Sequence, residues 1–246
     1  MTHRKWLSAA ALAAALVSSQ GGLYAQGRGG PPPPPGKGGA PIDVTGYWVA
    51  EITEDWRFRM VTPSKGDYQS VPLNPEAAKI ADAWDPAKDV AAGEQCRSYG
   101  APAIMRLPTR LNITWQDENT LSVQTDLGQQ TRLFHFGEWK SAGGAPTWQG
   151  DSVARWERVG GGGSLAVVTD RIRPGYLRKN GIPYGPNTVV TEYWDITKGR
   201  QGQTRLLVTI KVEDPMYLTT AWVVPVHFLK EPDGSKWDPQ PCSATF

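Results

Sequence analysis

Residues 109–136 read TRLNITWQDENTLSVQTDLGQQTRLFHF, and this stretch decides the fold. Apolar Leu111, Ile113 and Trp115 alternate with polar neighbours, as do Leu121 and Val123. A period of two is that of an extended strand, whose side chains point alternately to opposite faces. Asp117-Glu118-Asn119 and Leu127-Gly128 break the pattern with residues that favour tight turns. Three hairpin-linked strands are therefore expected, at 109–116, 120–126 and 130–136.

The pattern extends outward in both directions. Before it, 45–52 and 56–62 (WRFRMVT) alternate; after it, 152–159, 164–172, 188–196, 204–213 and 220–229 do the same, with the glycine run Gly160 to Gly163 as a turn. No heptad or longer repeat is present. A single helix is expected near 74–84. Asn74 suits the N-cap, Pro75 the first helical position and Glu76 the positive N-terminus, while Pro86 stops the helix. One helix among ten consecutive strands gives a mainly β fold, an antiparallel barrel of about 8–10 strands, with a β-sandwich as the alternative.

The domain limits follow from composition. Arg4 and Lys5 precede an apolar run from Leu7 to Val17, and Ala25 offers a small residue for cleavage, so 1–25 reads as a Sec signal peptide. That apolar run is shorter than the roughly 20 residues a membrane-spanning helix needs. Residues 26–41 (QGRGGPPPPPGKGGAP) hold little that can be buried and read as a disordered Pro/Gly linker. Residues 42–246 then form one domain, expected in the periplasm or outside the cell. Phe246 would suit the end of an outer-membrane strand, but Pro239 and Pro241 break that strand, and no membrane-spanning barrel is expected.

Lys and Arg total 26 against 24 Asp and Glu. Losing Arg4 and Lys5 with the signal balances the two, which leaves no electrostatic basis for nucleic-acid binding. Cys96 and Cys242 are the only cysteines, and in an oxidising compartment an isolated pair favours a disulfide.

The opening of the first strand, Gly46-Tyr47-Trp48, resembles the Gly-x-Trp start of lipocalins and other calycin barrels. In that family the tryptophan plugs the closed end of a barrel, and the resemblance implies a small-molecule cavity. It covers these few residues only, and no Thr-Asp-Tyr turn accompanies it.

Ionisable residues occupy alternate positions expected to face inward. His135 shares a face with Leu133, and His227 with Val223, Pro225 and Leu229; Glu192 aligns with Trp194, and Asp170 with Val168. If these four converged in a cavity, a histidine would act as general acid or base with a carboxylate orienting it. Equally, Glu192 would simply pair with Arg132, Arg155 or Arg171. Tyr99, Arg132, Tyr176, Tyr193, Trp194 and Trp222 are the candidate ligand contacts. Two long loops, 96–108 with Arg97 and Arg106 and 173–187 with Arg178 and Lys179, carry positive charge that suits an anionic or phenolic ligand. No metal-ligand spacing, nucleophile elbow or phosphate loop occurs, so no metal or cofactor is expected. Two functions fit this pattern: binding of a small hydrophobic or aromatic molecule, with or without lyase, isomerase or cyclase chemistry, and sugar or envelope recognition by surface tryptophans.

Overall fold

A computed structural model describes residues 32–246. The expected signal peptide and residues 26–31 of the linker lie outside the described residues. Nine strands close into a barrel: β1 (Gly46–Glu51), β2 (Arg110–Trp115), β3 (Thr120–Thr125), β4 (Thr131–Phe136), β5 (Asp151–Val159), β6 (Gly162–Asp170), β9 (Val189–Lys198), β10 (Thr204–Glu213) and β11 (Trp222–Lys230). A two-residue ladder, β7 (Gly175–Tyr176) with β8 (Pro183–Tyr184), lies outside it.

An odd ring of strands cannot alternate in direction throughout, so one neighbouring pair must run parallel. That pair is β4 and β5. Residues 137–150 carry the chain from one end of the barrel back to the other between them, the crossover that parallel strands require. The other pairs are antiparallel, as expected.

The expected strand at 56–62 is instead a single helical turn, α1 (Trp56–Arg59), followed by loop. Its alternating pattern has another origin: α1 buries Phe58 and Arg59 together and leaves Trp56 and Met60 exposed. The expected helix is α2 (Pro75–Asp82), with the Asn74 side chain accepting from the Ala77 amide. Pro86 ends that region and also opens a further helix, α3 (Pro86–Ala91), capped by Asp85.

The two ends of the barrel are closed differently. One is plugged by Trp48, fully buried with its indole N–H donating to the Val44 carbonyl at 3.0 Å, and by the mutually packed rings of Trp115, Phe136 and Trp156. Residues 33–41, expected to be disordered, cover this end. Trp156 Nε1 donates to the Gly36 carbonyl at 2.9 Å, and the Lys37 amide donates to Glu118 at 2.8 Å. The linker is anchored because the carbonyls of Gly36 and Gly39 accept from the side chains of Trp156 and Arg158.

The opposite end, the mouth, receives residues 52–109 with α1 to α3, the 171–188 connection and the 214–221 turn. The tail after β11 runs back along the outside to join them. Gln240 bridges to Leu127, and Cys242 forms a disulfide with Cys96 across a separation of 146 residues. Between the ends, Leu111, Val123, Phe134, Val167, Trp194, Val208, Ile210, Val226 and Phe228 fill the interior, each no more than 1% exposed.

Candidate functional site: arginines at the capped mouth

Inside the barrel, β4 turns Arg132, Phe134 and Phe136 inward, and β9 turns Val190, Glu192 and Trp194 inward. Arg132 and Glu192 meet as a two-pronged ion pair, Nη1 to Oε1 at 2.9 Å and Nη2 to Oε2 at 2.6 Å, both side chains fully buried. Arg132 Nη2 also donates to Thr169 Oγ1 at 3.3 Å, which contacts Ser152 Oγ at 2.8 Å. Trp194 packs edge-on against Phe134 at 5.3 Å. The two charges of this cluster match each other in a packed core, while Arg132 Nε and Trp194 Nε1 have no protein acceptor.

The other expected catalytic groups do not join it, which corrects the inward assignment. His135 points out of the barrel and stacks on Trp139, ring centroids 4.1 Å apart and planes within 5°. Desolvation lowers its pKa, opposed by the carboxylates of Asp117 and Asp151. His227 also faces outward, with Nδ1 3.4 Å from Glu54 Oε2. Asp170 is exposed on the outer surface, and Tyr193 lies on the outer face of β9, 36% exposed. Exposed apolar residues such as Leu133 and Val223 share these faces, so apolar neighbours pointed the wrong way.

The mouth is arranged otherwise. Arg59 arrives on α1, Arg106 on the 96–108 segment and Arg178 on the 173–187 segment, each no more than 3% exposed. Arg178 is held at the tip of the β7–β8 hairpin, where Gly181 adopts φ +81° and passes so close to Trp84 that a side chain there would clash. The 173–187 loop is therefore inserted into the cap: residues 177–184 are buried throughout. Arg59 Nε donates to the Arg106 carbonyl at 2.8 Å, and Arg178 Nη1 to the Gln69 carbonyl at 2.7 Å. The guanidiniums of Arg106 and Arg178 lie 4.9 and 5.6 Å from the Trp222 ring, and Arg178 also stacks on Phe58 at 4.0 Å.

Charge there is not balanced. Glu54 pairs with Arg59, and Asp55 with Arg106 at 3.1 Å, but Arg178 makes no ion pair among the described residues. Both carboxylates are more than a quarter exposed, while the arginines lie beneath them. Arg59 Nη2, Arg106 Nη1, Arg178 Nε and Nη2, and Trp222 Nε1 are all buried without a protein acceptor. Burial, reinforced by the neighbouring charge of Arg106, lowers the pKa of both Arg59 and Arg178 to about 10. Every one of these unsatisfied groups is a donor, so the missing partner is an acceptor. Guanidinium forks of this kind match carboxylate, phosphate or sulfate oxygens. Beside the cluster, Ser70, Val71, Pro72, Ala221, Trp222 and Val223 line an open groove of about 500 Å³.

The remaining expected contacts surround this cap. Tyr99 is fully buried within it, and Tyr176 Oη bridges Arg97 at 3.0 Å and Asp89 at 3.2 Å. Arg59 was missed by sequence because its pattern read as a strand. Arg106 and Arg178 lay in the two loops whose charge suggested an anionic ligand. Among the described residues, no group of three His, Cys, Asp or Glu side chains is placed to hold a metal ion, and no helix is long and apolar enough to cross a membrane. No protein family, curated protein or solved structure matches the chain.

Proposed function

We propose that this is an exported, calycin-like binding protein that takes a small ligand bearing an oxyanion at the capped mouth of its barrel. One observation carries this reading: five buried donor nitrogens on Arg59, Arg106, Arg178 and Trp222 lack acceptors, around an excess of positive charge. Burying guanidinium groups without partners costs several kcal/mol each, about what a bound oxyanion would offset. The adjoining groove with Val71, Pro72 and Val223 gives room for an apolar or aromatic body attached to that anion. The N-terminal apolar run and the Cys96–Cys242 disulfide are consistent with export. Binding is favoured over general acid–base chemistry because His135 stacks on Trp139 away from both clusters, and His227 faces outward and meets the mouth only through Glu54. Kinship with calycins rests on the buried Trp48 of the Gly46-Tyr47-Trp48 opening, although nine strands with one parallel pair depart from an all-antiparallel up-and-down design.

The test is a thermal-shift series with millimolar phosphate, sulfate, benzoate and hexanoate at fixed ionic strength. Sulfate and phosphate stabilise many proteins through exclusion from their surfaces, so the comparison is with Arg178→Met. A saturable rise in Tm with at least one anion, lost in the variant, is the expected result. Equal rises in both proteins, or none in either, would refute the assignment.

A further inference from the structure

A second buried cation sits next to Arg178 and faces the other way. Lys179 is 2% exposed, and it forms no ion pair with a carboxylate among the described residues. Its Nζ lies 2.8 Å from Tyr99 Oη and 3.0 Å from the Thr245 carbonyl, with the Tyr99 and Phe246 rings at 4.7 and 4.2 Å. Tyr99 Oη accepts from both Lys179 Nζ and the Ser243 amide, the latter at 3.0 Å. What covers Nζ is the end of the chain. Thr245 and Phe246 lie over it, held by the Phe246 amide donating to Thr62 Oγ1 at 2.8 Å and, further back, by the Cys96–Cys242 disulfide.

We propose that Lys179 and Tyr99 form a covalent site for a small aldehyde or ketone, closed by the C-terminal residues as a removable strap. An amine kept from water and from carboxylates has its neutral, nucleophilic form favoured, the arrangement found in imine-forming lysines. Burial accordingly lowers the Lys179 pKa to about 8. In the step itself the Nζ lone pair bonds the carbonyl carbon. The two amine protons pass to the carbonyl oxygen by way of Tyr99 Oη, and that oxygen leaves as water, giving an imine without any oxidant or reductant. Thr245 and Phe246 are held over Nζ by the Thr62 hydrogen bond, the Thr245 carbonyl and the Phe246 ring, so lifting these two residues is the least disruptive route in. The site is independent of the anion cluster: Arg178 and Lys179 point to opposite sides of one hairpin tip.

The test treats the purified protein with limiting propanal and sodium cyanoborohydride at neutral pH, then maps the alkylated lysines by mass spectrometry. Three proteins are compared: wild type, Lys179→Arg, and a chain lacking Thr245 and Phe246, each checked for a cooperative melt. The expected result is an adduct on Lys179 of the wild type exceeding that on the exposed Lys65, Lys88 and Lys140. Truncation should raise it several-fold, and Lys179→Arg should abolish it while leaving the surface adducts unchanged. Adducts confined to the exposed lysines in both the wild type and the truncated chain would overturn the proposal, leaving Lys179 as an anchor for the tail.

Discussion

The barrel interior and the barrel mouth both bury arginine, and they satisfy it differently. Arg132 lies among packed aliphatics and meets Glu192 through two hydrogen bonds, with Thr169 alongside. Arg59, Arg106 and Arg178 lie under a cap where two partly exposed carboxylates pair with Arg59 and Arg106 alone, and four guanidinium nitrogens are left unmatched. Matched charges need nothing further to be stable where they are. Unmatched ones, held in place by stacking on Phe58 and Trp222, are what the proposed ligand would complete. Burial of charge and orphaned donors are common to both regions, and the balance of charge separates them: one carboxylate for one arginine inside, two for three at the mouth.

The largest effect should come from breaking the matched pair. Glu192→Ala strands the Arg132 guanidinium in the core, and removing one partner of a buried pair typically costs about 3–5 kcal/mol. Urea unfolding should show that loss, while an Arg132→Met/Glu192→Leu double variant should lie much closer to wild type. Next in size is the clamp that fixes the tail to the mouth. Replacing Cys96 and Cys242 by serine should cost about 2–4 kcal/mol, since the bridge closes a long loop in the unfolded chain. Denaturant midpoints under non-reducing conditions measure it.

A bound anion should act only at the mouth. At a concentration a hundred times its Kd it should add about 2.7 kcal/mol of stability, by mass action. The Arg178→Met variant sharpens the contrast with Glu192→Ala. Because Arg178 is buried without a carboxylate partner, its replacement should leave the ligand-free stability unchanged or raise it by up to about 4 kcal/mol. The same variant should lose the anion-dependent gain. A large loss of stability without ligand would mean that Arg178 is as structural as Arg132.

The smallest signal concerns Lys179 and pH. Its folded-state pKa of about 8 lies below the ordinary 10.5, so the penalty for burying its charge is fully present below pH 8. Between the two values the unfolded chain holds a proton that the folded chain has shed, and raising the pH there favours the fold. Wild-type stability relative to Lys179→Met should therefore climb across that window and be flat below it.

Much of the barrel was legible because hairpin-linked strands announce themselves through local alternation and turn residues, as in 109–136. The extra parallel pair was not, since nothing local distinguishes a crossover at 137–150 from a long hairpin loop. Phase was the harder matter. On β11 (WVVPVHFLK) both faces are apolar, so alternation cannot say which one is the interior, and His227 was placed on the wrong side. On β4 the inward residue is Arg132, a type that belongs inside only because Glu192, sixty residues later, comes to meet it. The charged loops 96–108 and 173–187 supply Arg106 and Arg178 to the mouth. Their convergence with Arg59 came from tertiary packing of the cap, which sequence periodicity does not encode.

The most direct measurement is a crystal structure of the protein soaked in selenate, with data collected at the selenium absorption edge. Anomalous density is predicted between the guanidinium groups of Arg59, Arg106 and Arg178, within hydrogen-bonding distance of the nitrogens that lack protein acceptors. Selenate bound elsewhere with that cluster vacant, or protein acceptors found on those same nitrogens, would contradict the assignment of the mouth as the binding site.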